Sequence, residues 1–243
     1  MRNRHTILNA AVLLVGAMLV ALVPIAAGKE LSAAQTSAAL RPSIERIVEG
    51  RFRIGRIILD KTSQTLTMPG RVNMQQGMIE LVACSWEGKL HESLFLAPVE
   101  PYHLQLALLL LGLNHKGGVR FQGDTTPPEG DRVLIFVEKD GKRWRVEDWI
   151  WDLQRKAPMQ RTEWVFTGSR FVSEGGGQSN VFAATVTRTL ITTYRDPYTI
   201  LDNPLPTGTD DEVYEVNSKV TPPVGTSVTL VIEPSKARPI KRR

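Results

Sequence analysis

Two strand-like runs, Arg132-Val-Leu-Ile-Phe-Val-Glu-Lys and Lys142-Arg-Trp-Arg-Val-Glu-Asp-Trp, meet at Asp140-Gly141. β-branched and aromatic residues favour the pleated strand. Asp-Gly accepts the positive φ angles that a two-residue hairpin turn demands. This segment therefore commits the chain to antiparallel β-structure, and similar signals recur along it. Arg56-Ile-Ile-Leu-Asp-Lys passes through Thr62-Ser-Gln into Thr65-Leu-Thr-Met-Pro-Gly-Arg-Val-Asn with the period-two alternation of a half-buried hairpin. Met78-Ile-Glu-Leu-Val-Ala-Cys-Ser-Trp reads as a strand that turns at Glu87-Gly88 and returns through Lys89-Leu-His-Glu-Ser-Leu-Phe-Leu. Further strands are expected at residues 163–172, 181–186, 189–193 and 226–232. A Gly175-Gly-Gly loop and a Pro-rich stretch at residues 202–209 lie between them.

One helix interrupts this pattern. Glu100-Pro101 opens it, because the first helical N–H has no intrahelical partner and Pro sacrifices nothing there. Leu104, Leu106, Ala107, Leu108, Leu109, Leu110 and Leu111 make it apolar nearly all round, and Gly112 or Asn114 ends it. A helix of that composition is expected to be buried against the sheet. The fold class that follows is α+β and β-rich, with antiparallel hairpins packed on one central Leu-rich helix. With 42% hydrophobic and 23% charged residues, the chain has the composition of a globular protein.

The ends of the chain differ from its middle. Arg2 and Arg4 precede an uncharged run at residues 6–28 that closes on Pro24 and the small residues Ala26, Ala27 and Gly28. Bases before an apolar stretch are the export arrangement. Residues 1–28 therefore read as a signal peptide cleaved before Lys29 or as a membrane anchor, and either places the remainder outside the cytoplasm, periplasmic, secreted or anchored. Residues 29–49 read as a spacer with a helical turn near residues 44–48, residues 50–233 as a single globular domain, and residues 234–243 as a basic tail. The tail holds Lys236, Arg238, Lys241, Arg242 and Arg243 without an acid. With Arg2 and Arg4 also set aside, 23 bases face 25 acids in residues 29–233, so the formal +5 belongs to the ends and not to a nucleic-acid surface.

Candidate chemistry is sparse. If Glu87-Gly88 is a two-residue turn, Cys84 faces His91 across the hairpin, with Cβ atoms about 5 Å apart. An imidazole there takes the thiol proton and creates a nucleophile, which makes Cys84 and His91 the candidate catalytic pair. The bland reading is a small buried hydrophobe beside a hydrogen-bonded His. His91 and Glu92 are the candidate metal ligands. His103 and His115 lie near opposite ends of the helix, about 18 Å apart at its rise per residue, and cannot share one ion. Trp144, Trp149 and Trp151 are close in sequence; as a platform they suit stacking on sugar rings, and as core residues they pack the sheet. Glu147, Asp148 and Asp152 nearby supply the carboxylates a glycosidase needs, given a suitable separation. Thr167-Gly-Ser-Arg reads as a turn or bulge.

The stretches Met68-Pro-Gly-Arg-Val-Asn, Ile79-Glu-Leu, Cys84, Gly88-Lys-Leu-His-Glu-Ser and the Leu-rich helix ending in Leu-Leu-Gly carry a resemblance. It extends through Glu147-Asp-Trp, Trp164-Val-Phe-Thr-Gly-Ser-Arg and Tyr194-Arg-Asp-Pro, so that residues 50–233 together resemble the YdjY-like domain family. The resemblance implies a single domain in a bacterial protein with an export signal, and it brings no reaction with it. Iron–sulfur labels attached to some members do not transfer, because one Cys cannot supply a cluster's thiolates.

The reading that follows is an exported, non-enzymatic binding or structural module of the cell envelope, with an envelope polymer or a protein as partner, no nucleic acid, and membrane contact only through residues 1–28. The alternative is an extracytoplasmic enzyme or metal-binding protein centred on Cys84, His91 and Glu92.

Overall fold

The computed structural model describes residues 44–173 and 180–236. The signal or anchor segment, the spacer as far as residue 43, the Gly175 loop and the tail from residue 237 lie outside the described residues.

Twelve strands share one sheet: β1 (Ile44–Val48), β2 (Arg51–Ile54), β3 (Ile57–Asp60), β4 (Thr65–Val72), β5 (Leu81–Cys84), β6 (Ser93–Leu96), β7 (Arg132–Lys139), β8 (Lys142–Arg145), β9 (Trp164–Phe166), β10 (Thr189–Thr192), β11 (Leu201–Asp202) and β12 (Ser227–Pro234). From β4 the pairing runs through β12, β7, β9, β11, β10, β5 and β6, and β6 returns to β4 through Arg71↔Leu96 and Val72↔Phe95. The ring of eight is closed, and β1, β2 and β3 extend from it as a ribbon along the first half of β4. Closure leaves the ring strands without unpaired neighbours, the usual solution to exposed strand edges.

Period two explains the interior. Leu66, Met68 and Gly70 of β4 stand in register with Ile232, Leu230 and Val228 of β12, Ile232 and Leu230 in turn with Ile135 and Val137 of β7, and Val72 of β4 with Phe95 of β6. Val133, Trp164, Phe166, Leu201, Ile191, Ala83 and Phe95 continue the same face around the ring, and all are buried. An eight-stranded barrel is just wide enough for such side chains to fill.

This architecture corrects the expected fold class. The core is the inside of a barrel and not a set of hairpins laid on a central helix. The Leu-rich helix α1 (Pro101–Leu110) forms with the expected bounds, but it rests against β3, β10 and the short helix α2 (Ala183–Thr187). Leu104, Ala107 and Leu108 are buried, whereas Leu109 is 42% exposed. Uniform apolarity left the buried side undetermined; packing on only one side left the other in solvent.

Four local expectations also change. Residues 44–48 form strand β1 and not a helical turn, held by the ladder to β2. Segments 81–84 and 93–96 pair in parallel, with Leu81 opposite Ser93 and Cys84 opposite Leu96, so they are not a hairpin. Residues 163–172 and 181–186 are not two strands. β9 stops at Phe166, Phe171–Ser173 pairs with Asn180–Phe182, and the chain then enters α2. Beyond Arg145 the chain leaves β8 for a 3-10 turn, Val146–Trp149.

Candidate functional site

Cys84 ends β5 with no exposed surface, and burial pushes its thiol pKa up. A thiol so shifted is a poor nucleophile. His91 lies in a 3-10 turn, Leu90–Glu92, with 80% of its side chain exposed. The opposed thiol–imidazole pair therefore does not exist, because it depended on an antiparallel register and the strands run parallel. Glu92 is committed elsewhere: its Oε1 meets Lys89 Nζ at 2.5 Å, and Lys89 reaches Glu80 Oε2 at 2.9 Å. Partial burial works against the Lys89 charge, yet these carboxylates hold its pKa above the ordinary value. His91 Nε2 stands 3.6 Å from Glu92 Oε2. Among the described residues no group of three His, Cys, Asp or Glu side chains converges as metal ligands. His103 covers Gly55, and His115 packs over Gly168 and against the Phe166 ring. Gly168 has a φ of +66° and a Cβ there would strike the His115 imidazole; the Thr167-Gly-Ser-Arg segment is irregular backbone between β9 and Phe171–Ser173, neither a regular turn nor strand.

A denser polar cluster lies at residues 192–203. Thr192, Thr193, Arg195, Asp196, Thr199, Asp202 and Asn203 are all buried. Asp202 accepts from Asn203 N at 2.8 Å, Thr192 Oγ1 at 3.1 Å and Asp196 N at 3.3 Å. Desolvation still dominates and pushes its carboxyl up to about 8. Burial also raises Asp196, which accepts from Tyr198 N and Gln122 Nε2. Arg195 forms no carboxylate pair in this cluster. It donates to the carbonyls of Asp124, Thr125 and Thr126 on one side and of Asn203, Pro204 and Leu205 on the other. Opposite it, Asp124 is clamped by Arg120, which holds its carboxyl well below the usual range. Perturbed acids mark functional sites and structural networks alike. Here the buried groups bond to one another and to neighbouring backbone, so the cluster ties the 124–126 and 203–205 segments together. Sequence pattern alone does not single these residues out as a cluster, and Tyr194-Arg-Asp-Pro carries only part of the family resemblance. A buried role was signalled by Arg and Asp sitting between two apolar strands.

The tryptophans give a different result. Trp149 belongs to the 3-10 turn and not to a strand shared with Trp151, so those two rings do not form one face. Trp151 instead carries the Lys219 ammonium 4.5 Å above its ring. Trp164 is core and donates its indole N–H to Glu147 at 3.0 Å. Trp144 and Trp149 do come together, and with Val220, Pro222, Lys139 and Asp148 they line a cleft of about 380 Å3. Clefts for small ligands begin at about 300 Å3.

Local sequence explains how the cleft is built. The Asp140-Gly141 turn forms with positive φ at both residues, and the β7–β8 register sets Trp144 opposite Val137. The 3-10 turn then lowers Trp149 onto Phe95, a residue of the barrel interior, with centroids 5.5 Å apart. Asn217, itself buried, ties the opposite wall to this turn. Its Nδ2 donates to Asp148 O at 2.8 Å and its N–H to Trp149 O at 2.9 Å, while its own carbonyl accepts from Val220 N, Thr221 N and Thr221 Oγ1. One side chain and its backbone thus tie the Val220–Pro222 segment to the turn that carries Asp148 and Trp149. Of the three nearby acids only Asp148 lines the cleft. Glu147 is buried among Arg145, Trp164 and Arg161, and Asp152 is buried against Arg155 N. The two-carboxylate arrangement of a glycosidase is absent at this cleft.

A family model described as the YdjY domain matches residues 57–233. No curated protein and no solved structure matches the chain. The matched span runs from the start of β3 to Glu233 of β12, and so takes in all the barrel strands, the polar cluster and every residue lining the Trp144–Trp149 cleft. The chain belongs to the YdjY domain family.

Proposed function

We propose that this protein is a non-enzymatic binding module of the bacterial cell envelope that holds its ligand in the Trp144–Trp149 cleft. The observation that carries the reading is the double tether at Asn217, which holds the Val220–Pro222 wall to the turn carrying Asp148 and Trp149. A preorganised cleft loses less freedom when a ligand enters, and aromatic side chains supply contact area at low entropic cost. The nucleophile and acids that a catalytic reading requires are sealed or paired, so Cys84, His91 and Glu92 support the alternative less. Export is supported by Arg2 and Arg4 ahead of the apolar run at residues 6–28.

The test is retention of the full chain on washed bacterial envelopes, compared between the wild type and Trp144→Ala. Loss of about tenfold or more in apparent affinity is expected for the variant, the size of a buried aromatic anchor. Equal retention of both proteins would overturn the reading.

A further inference from the structure

Taking the cleft as the binding site, we infer that its occupant is a pyranose ring of a glycan without strong net charge. A pyranose presents flat C–H faces and a girdle of hydroxyls. It therefore suits a slot with apolar walls and a polar rim. The walls here are the half-buried Trp144 ring and the Val220–Pro222 segment, in which Val220 is 53% exposed, and the nearly buried Trp149 forms the floor. The rim carries one carboxylate, Asp148, and one ammonium, Lys139. Both are already paired, Asp148 with Arg161 at 2.5 Å and Lys139 with Asp140. Opposite charges at one rim favour neither a polyanion nor a polycation, and each can still bond a hydroxyl.

The surroundings argue against a peptide. A peptide that binds by strand addition needs a free strand edge. The strand beside the cleft is β8, which among the described residues pairs only with β7 and reads Lys142-Arg143-Trp144-Arg145. Three bases along an edge strand guard it against such addition. At about 380 Å3 the cleft admits a ring or two and not a long apolar chain.

The experiment titrates the purified full chain with tetra-N-acetylchitotetraose and with cellotetraose, read by tryptophan emission, against tetragalacturonic acid as the anionic counterpart. At least one neutral oligomer is expected to bind, with affinity falling about tenfold or more in Trp144→Ala and largely restored in Trp144→Phe, both variants remaining fully folded in the absence of urea. The galacturonate is expected to bind no more tightly than that neutral oligomer. Failure of both neutral oligomers while envelope retention still depends on Trp144 overturns the glycan assignment and leaves the cleft reading standing. Glycan binding indifferent to Trp144, or galacturonate binding more tightly than the neutral oligomers, overturns the assignment as well. Envelope retention indifferent to Trp144 overturns the cleft reading itself.

Discussion

The indole rings of Trp144 and Trp149 meet edge to face, with centroids 6.1 Å apart and planes inclined at 74°. Trp149 is 3% exposed and also packs on Phe95, whereas Trp144 is only half-buried. Substituting the two should separate stability from binding. Trp149→Ala is expected to cost about 3–5 kcal/mol, as for large aromatic truncations in cores, and Trp144→Ala about 1 kcal/mol. Urea unfolding of the two variants measures the difference, and equal losses would contradict the assignment of floor and wall.

Asn217 offers a sharper separation, because it ties the Val220–Pro222 wall to the Asp148–Trp149 turn while not lining the cleft. Asn217→Ala removes the bond to Asp148 O but keeps the backbone bonds. It is expected to weaken envelope retention several-fold with every lining residue intact, and to cost about 1 kcal/mol of stability. Asn217→Asp replaces the donating amide with a carboxylate that faces Asp148 O, and is expected to fare no better. Unchanged retention in both variants would show that the walls hold their positions without this tether.

Arg195 joins the loop carrying Asp124, Thr125 and Thr126 to the segment carrying Asn203, Pro204 and Leu205. Its forked guanidinium serves both at once, which an ammonium cannot do. Arg195→Lys is expected to lose about 3 kcal/mol or more, the cost of several carbonyls left unpaired. Limited proteolysis should then cut within residues 120–126 before any other described loop.

Asp202 provides a pH signature. Its folded pKa of about 8 lies above its ordinary 3.8, so between those values the folded chain keeps a proton that the unfolded chain has released. Stability from this group is full below pH 3.8, falls as pH rises through the window and levels off above about pH 8. Asp196 is shifted the same way and leaves a residual slope, whereas Asp60 and Asp124 are lowered and act only on the acid side. Urea midpoints of the wild type and Asp202→Asn at about pH 5 and pH 8 should show a steeper fall with pH for the wild type. Parallel pH dependences would contradict the assignment.

Cys84 is sealed and its thiol is raised by burial. A thiol-specific reagent is expected to leave it untouched in the native chain and to label it fully in denaturant. Cys84→Ala is expected to leave envelope retention unchanged and to cost about 1 kcal/mol. Rapid labelling of the native protein would reopen the nucleophile reading.

What the sequence made legible was local. Asp140-Gly141 and the β3–β4 pairing follow from turn chemistry and alternation between neighbouring residues, and Pro101 marked the helix start. The barrel could not be read the same way, because its closing contact joins Arg71 and Val72 to Leu96 and Phe95 while β12 inserts between β4 and β7. The turn at Glu87 is real, with a φ of +64°. The 3-10 turn at Leu90–Glu92 follows it, and β6 then runs alongside β5 instead of back along it. That single reversal dissolved the Cys84–His91 pair. Trp144 and Trp149 were visible as residues of interest, but their cleft was not, since its far wall is fixed by Asn217 across 69 positions of chain. Arg195, Asp196 and Asp202 eluded composition rules because polarity normally signals the surface, and only the fold shows their groups bonded inside.

The most direct measurement of the central claim is fluorine NMR of the full chain labelled with 5-fluorotryptophan, titrated with solubilised envelope fragments. Resonances of Trp144 and Trp149 are expected to shift together and saturably, while those of Trp86, Trp151 and Trp164 stay in place. Shifts confined to Trp86 or Trp151, or none at concentrations where the chain is fully retained, would contradict the assignment of the ligand to this cleft.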